Sequence, residues 1–161
     1  MIFVSWSQAT AYCAWAGRQL PTEAMWEKAA RGPNGLIYPW GNTFDGTKVN
    51  YCDINCDLPW KGSYDDGYKD LSPVGNYPLG KSLYGVFDMA GNVYEWVADW
   101  FEPYRPIRQE NPTVPVSGSE HITRGGSWGD DPAHVRAAIR SRRNGSTSEN
   151  SIGFRCAIGQ N

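Results

Sequence analysis

Arg124-Gly125-Gly126-Ser127-Trp128 and Ile152-Gly153-Phe154-Arg155-Cys156-Ala157 bracket a polar stretch, residues 129–151, near the C-terminus of a 161-residue chain. Short β-branched and aromatic runs separated by polar, turn-forming residues read as strands. The pattern predicts one strand over 122–128, a second over 135–141 and a third over 152–157. Working back towards the N-terminus, the Pro-rich, polar residues 102–120 predict a surface loop. Before it, Val93, Glu95 and Val97 alternate with Tyr94, Trp96 and Ala98, the period-two pattern of a further strand.

Helices are signalled only near the start. Ser5 with Gln8 forms a capping box, and Ala9, Tyr12, Cys13 and Ala16 recur at helical spacing as an inner stripe before Gly17, a left-handed C-cap. Thr22 caps a second helix, with Glu23 in its first turn, Trp26, Ala29 and Ala30 on its inner face and Gly32 as its stop. From 33 to 81 no periodicity survives, yet the tryptophans and tyrosines there expose too much apolar surface to be left unpacked. Eight Trp, nine Tyr, 18 Gly and 11 Pro describe an irregular, loop-rich α+β domain built on large aromatic units rather than a helical bundle.

Charge is uneven along the chain. Residues 1–123 carry 9 Lys/Arg and 14 Asp/Glu, whereas 124–161 carry 6 Arg, no Lys and 3 acids. An all-Arg bias suits rigid, multidentate hydrogen bonding within a folded C-terminal region. It is too sparse a basic patch for nucleic acid. No apolar run reaches the roughly 18–20 residues of a membrane span, and the first residues lack a signal-peptide layout. Four cysteines, Cys13, Cys52, Cys56 and Cys156, include no CxxC, and His121 and His134 are thirteen apart, so disulfides or buried thiols are favoured over zinc. Cys52 and Cys56 are neighbours in a loop, and Cys13 and Cys156 could tie the two chain ends.

These motifs, in this order, resemble the formylglycine-generating-enzyme (sulfatase-modifying factor) domain family. The likeness is carried by Val4-Ser5-Trp6, residues 11–18, Leu20-Pro21-Thr22-Glu23-Ala24, residues 26–32, Tyr38-Pro39-Trp40-Gly41, Gly91-Asn92-Val93-Tyr94-Glu95-Trp96, Arg124–Trp128 and residues 152–157. It implies a single domain over 1–161 with a C-type-lectin-like fold: two helices, a small twisted antiparallel sheet and much loop. It also implies that the cysteines matching Cys13 and Cys156 are paired. The family's enzymes usually carry about a hundred further residues before the segment matching Val4.

The family's oxidases use a cysteine pair to hold copper. A soft thiolate is what holds Cu(I). Here the matching positions are Asp130 and Val135. The resemblance therefore implies a non-catalytic member with no redox metal. A Ser/His/Asp site from Ser127, His134 and Asp130 lacks a nucleophile elbow. Family members can bind structural calcium, which takes six to eight hard oxygens. One such set matches Asn50, Tyr51, Asp66 and Tyr68, the two tyrosines through backbone oxygen. The other matches Asp88, Gly91, Val93 and Glu95, with Gly91 and Val93 contributing carbonyls.

The segment 129–151 further resembles the rewritten segment in variable proteins of diversity-generating retroelements. Pro132, Val135-Arg136, Ala137-Ala138 and Arg140 match the fixed frame, and the residues between them are almost all reachable by randomising the adenines of an asparagine codon, Glu149 excepted. The ligand-binding residues this implies are Trp128, Gly129, Asp130, Asp131, Ala133, His134, Ile139, Ser141, Arg143 and Asn144. Trp128, His134, Ile139 and Arg143 are the expected anchors. The expected partner is a protein or glycan on a cell or virus surface, and self-association is a further expectation.

Overall fold

A computed structural model describes residues 1–104, 112 and 117–158. Most of the loop expected over 102–120 lies outside the described residues. Two helices, α1 (Trp6–Trp15) and α2 (Glu23–Arg31), precede four strands: β1 (Tyr94–Trp100), β2 (His121–Arg124), β3 (Arg140–Arg143) and β4 (Ile152–Phe154). They form one sheet in the order β3-β2-β1-β4. β1–β2 and β2–β3 are antiparallel, but β4 runs parallel to β1, so the sheet is mixed rather than antiparallel. The C-terminal strand returns by way of the 144–151 connection, which fixes its direction.

Both helix caps match their sequence signals. Ser5 and Gln8 form the capping box of α1, Thr22 accepts from Met25 N at the start of α2, and Gly17 and Gly32 stand at φ 69° and 65° beyond the two helices. The inner stripe of α1 is narrower than its spacing suggests. Ala9 and Cys13 are buried, whereas Ala16 is exposed and Tyr12 lies across the edge of Phe154 at 5.5 Å. Small side chains at Ala9 and Cys13 let the helix approach the sheet, and Trp6 adds a half-buried contact, donating its Nε1 to Val97 O at 2.8 Å and stacking on His121.

Three adjoining apolar clusters make the core. Val4, Ala9, Cys13 and Leu20 pack with Tyr94, Trp96 and Ile152. Trp26 and Ala30 of α2 pack with Met89, Val97, Ile122 and Ala137. Tyr38, Val49, Tyr51, Ala90 and Val135 close the irregular region against the sheet. That third cluster is the physical reason that residues without periodicity between 33 and 81 are ordered. The cysteines form two disulfides, Cys13–Cys156 joining α1 to the end of the chain, and Cys52–Cys56 within the loop.

Three strands differ from their expected bounds, the one expected over 152–157 ending at Phe154. The one expected over 122–128 ends at Arg124, because Gly125 and Gly126 adopt φ 97° and 75°. A Cβ on Gly126 would sit 2.8 Å from the carbonyl oxygen of His134, so the close approach of the following loop needs glycine. The strand expected over 135–141 is displaced to Arg140–Arg143. Val135 and Ala137 are fully buried and Arg136 and Ala138 exposed, which imitates strand alternation. The chain there is nevertheless in turns, with His134 N and Val135 N both donating to the Asp131 carbonyl. The residues of β3 themselves have low strand propensity, and their pairing with β2 is supported by ionic and aromatic neighbours instead.

Candidate functional site

Arginines hold the C-terminal segment in place. Arg124, wholly buried, donates to the carbonyls of Ala137, Ala138 and Ile139, pairs with Glu27, and lies 5.3 Å from the Trp26 ring. Arg140 meets Glu23 through two bonds of 2.6 and 2.8 Å and lies 4.1 Å over Tyr104. Arg155 grips both oxygens of Glu95 at 2.5 and 2.6 Å, and Glu95 also accepts from the Trp26 indole at 2.7 Å. Bidentate pairs of this kind fix geometry as well as charge. The all-Arg bias of residues 124–161 is therefore structural for these three residues.

On that frame the loop 127–139 folds through its own side chains. Asp130 accepts from Ser127 N at 2.9 Å and Ser127 Oγ at 2.7 Å, and its carbonyl accepts from Cys52 N. Asp131 accepts from Ala133 N, His134 N and His134 Nδ1 at 2.8–3.0 Å. Burial opposes its ionisation, but the bonds from His134 and Ala133 outweigh that and hold its carboxyl below the ordinary range. Ser127 and His134 are thus each committed to a different aspartate, and no Ser/His/Asp relay forms.

The expected binding residues share one region but differ in freedom. Ala133, His134 and Asn144 are exposed; Trp128, Gly129, Asp130, Asp131, Ile139, Ser141 and Arg143 are half-buried. None of them is sealed in the core. Ser141 Oγ accepts from Arg143 Nη1 at 2.6 Å, and Arg143 lies 5.2 Å over the Tyr94 ring. Burial together with the carboxylate of Asp130 raises the Tyr94 phenol, so that hydroxyl stays protonated between Asp130 and Arg143. Asn144 closes its own turn by accepting from Ser146 N and Oγ.

Two of these residues are tied into the loop itself. Asp130 is a loop-closing residue as much as a surface one. Trp128 turns its indole nitrogen inwards, where the atom is buried without a hydrogen-bond partner among the described residues, so it is a poorer anchor than its side chain suggests. The open aromatic beside Gly129 is Trp60, half exposed and donating its Nε1 to the Gly129 carbonyl at 3.0 Å. Sequence reading missed it, although a tryptophan in a polar, aperiodic loop at Pro59-Trp60-Lys61 was the available signal.

The positions matching the family's copper-binding cysteines hold no sulfur. Asp130 closes a turn and Val135 is buried in the third cluster. All four cysteines are in disulfides.

The first calcium set contains real oxygen chemistry. Asp66 is buried beside Asp53, and desolvation pushes its carboxyl up to about 6. Asn50 Oδ1 is buried with no partner among the described residues. Tyr51 and Tyr68 face Asp66 with their N–H groups, at 3.0 and 2.9 Å. Both Asp66 oxygens are thereby taken by N–H groups, and the orphaned Asn50 amide oxygen is the acceptor of this set left for a hard cation. The second set does not fit as arranged, because both oxygens of Glu95 serve Arg155 and Trp26.

The family model for the sulfatase-modifying factor enzyme 1-like domain matches residues 1–160. The mouse formylglycine-generating enzyme is 35% identical over 98% of this chain, which spans 43% of that protein. The mouse inactive C-alpha-formylglycine-generating enzyme 2 is 37% identical over 98% of the chain, which spans 48% of it. Among solved structures, Treponema denticola variable protein 1 superposes with a TM-score of 0.77 at 21% identity, covering 96% of this chain and 69% of that one, a likeness of fold.

Proposed function

We propose that this chain, which belongs to the sulfatase-modifying factor enzyme 1-like domain family, is a non-catalytic recognition domain. On this reading it binds a protein or glycan ligand on a cell or virus surface through residues 128–144, with Trp60 at their border. One observation carries it: where the family's oxidases need thiols, this chain has a turn-closing aspartate and a buried valine, and every cysteine is bridged. The thiol chemistry has no seat, while the surrounding loop remains fixed.

The burial pattern supports the finer reading, a segment rewritten by a retroelement. Frame positions Val135 and Ala137 are buried and Arg140 is ion-paired, whereas intervening Ala133, His134 and Asn144 face solvent, as do frame positions Arg136 and Ala138. Replacing solvent-facing side chains that lack special contacts changes stability by no more than about 0.5 kcal/mol each. Arg143, His134 and Trp60 offer the aromatic and guanidinium groups that dominate interface energetics. Calcium at Asn50 and Asp66 belongs to this reading as a structural ion that would neutralise the buried carboxylates, and its test is a rise in melting temperature on adding calcium to chelator-treated protein.

The competing reading, an oxidoreductase, has 35% identity to the mouse enzyme in its favour. Elemental analysis separates the two: stoichiometric copper or iron after metal loading supports an enzyme and overturns the recognition reading. A library randomised at 133, 134 and 144 that folds and yields binders to different ligands supports recognition. So does a near-copy of the coding segment for 124–157 beside a reverse transcriptase, and without that copy the retroelement part is withdrawn.

A further inference from the structure

Asparagine followed by glycine occurs twice in the chain, at Asn34-Gly35 and at Asn144-Gly145. Such a pair can close on itself. The glycine nitrogen attacks the amide carbon of the asparagine side chain, and a residue without Cβ leaves that approach open. Both asparagines are exposed, so residue type and solvent access do not separate them.

Their hydrogen bonds do. Asn144 Oδ1 accepts from Ser146 N at 3.0 Å and Ser146 Oγ at 2.8 Å, and Thr147 N closes the turn onto the Asn144 carbonyl at 2.9 Å. The bonds to Oδ1 fold the side chain back along the peptide that carries the Gly145 nitrogen. They also meet the atom on which negative charge gathers when that nitrogen adds to the amide carbon, as preorganised donors do for an oxyanion. Among the described residues neither Gly145 N nor Asn144 Nδ2 is held by a hydrogen bond, so nucleophile and leaving group are unhindered. Asn34 lacks this arrangement, since among the described residues no donor reaches its side chain.

The fold also requires the glycine. A Cβ at 145 would sit 3.0 Å from Cδ2 of His121, whose ring stacks on Trp6 and Trp100 at 3.8 and 3.7 Å and is buried. A ring packed in this way has little room to give. Gly145 O is tied in addition to Trp6 N at 3.0 Å. A side chain that would shield the nitrogen is therefore resisted by the core at 145, while 144 itself faces solvent.

We propose that Asn144-Gly145 is a self-modification site at which the asparagine deamidates. Gly145 N bonds to Asn144 Cγ and gives up its proton to water. The Cγ–Nδ2 bond breaks and ammonia leaves, closing a cyclic imide. Water then opens either imide carbonyl, leaving aspartate or isoaspartate at 144, so one water is taken up for each ammonia released. Both products add a negative charge next to Arg143, and isoaspartate lengthens the backbone by a methylene in the connection between β3 and β4. The inference rests on this turn and not on the recognition reading, although 144 lies on that face.

The test is a time course of the full chain at mildly alkaline pH in heavy-oxygen water, read by mass-spectrometric peptide mapping. Residue 144 should convert about tenfold faster than residue 34, the effect of two hydrogen bonds that the second site lacks. Urea should bring the two rates together by unfolding the turn. Ser146→Ala, at an exposed position, should slow residue 144 roughly threefold, the effect of one such bond. Gly145→Ala should suppress the conversion and lower the melting temperature. Conversion at 144 no faster than at 34, a ratio unchanged in urea, a rate indifferent to Ser146→Ala, or a Gly145→Ala chain that melts like the parent would each overturn the proposal.

Discussion

Two stretches of similar polarity behave in opposite ways. In β3 and its neighbours, Arg124, Arg140 and Arg155 are drawn inwards and wired to Glu27, Glu23 and Glu95. In the adjoining 131–144 stretch, Ala133, His134 and Asn144 stay outside, their bonds confined to local turns. The difference lies in the partners supplied by distant elements: α2 and β1 offer covered glutamates to the first group, whereas among the described residues the second receives only Glu120, its side chain 37% exposed, 3.4 Å from Arg142. A charged residue in this fold is a frame residue when a remote carboxylate that is itself covered meets it, and a surface residue when its partner is open to solvent or in its own turn.

The contrast can be broken most forcefully in the frame. Trp96, fully buried and donating to Val4 O at 2.9 Å, joins β1 to the chain start. Trp96→Ala should destabilise the domain by about 3–5 kcal/mol in urea unfolding. Replacing Cys13 and Cys156 together by serine removes a link across 143 residues and should cost about 2–5 kcal/mol in the same assay. If either variant melts like the parent, the frame is not where the stability resides.

Within the loop, Asp130→Ala sharpens the comparison. It leaves Ser127 N and Oγ without their acceptor and should cost about 1–3 kcal/mol, although its position is one the binding surface would be free to vary. Asp66 offers a pH signature. Its folded carboxyl binds a proton up to about pH 6, above the 3.8 of an unperturbed group. The folded state then holds more protons than the unfolded one in that window, so this contribution to stability falls as pH rises through it. In metal-free protein, Asp66→Asn should remove that slope from the melting-temperature profile. The smallest effect is expected from combined replacement of Ala133, His134 and Asn144, about 1 kcal/mol or less per site in differential scanning calorimetry, since the bonds of His134 and Asn144 stay within exposed local turns. A larger loss there would erase the distinction between frame and face.

Local chemistry was legible in the chain itself. Caps at Ser5 and Thr22, stops at Gly17 and Gly32, the strand through Tyr94–Trp96 and the missing sulfur at Asp130 and Val135 each depend on neighbours within a few residues or on residue type alone. The position of β3, the parallel run of β4, the inward indole of Trp128 and the arrival of Trp60 beside Gly129 depend on segments tens of residues apart. Turn-bound Val135 and Ala137 show why: burial alternates whether the inward residues belong to a ladder or merely plug a neighbouring cluster. Periodicity reports which side chains are covered, and only the tertiary structure decides what covers them.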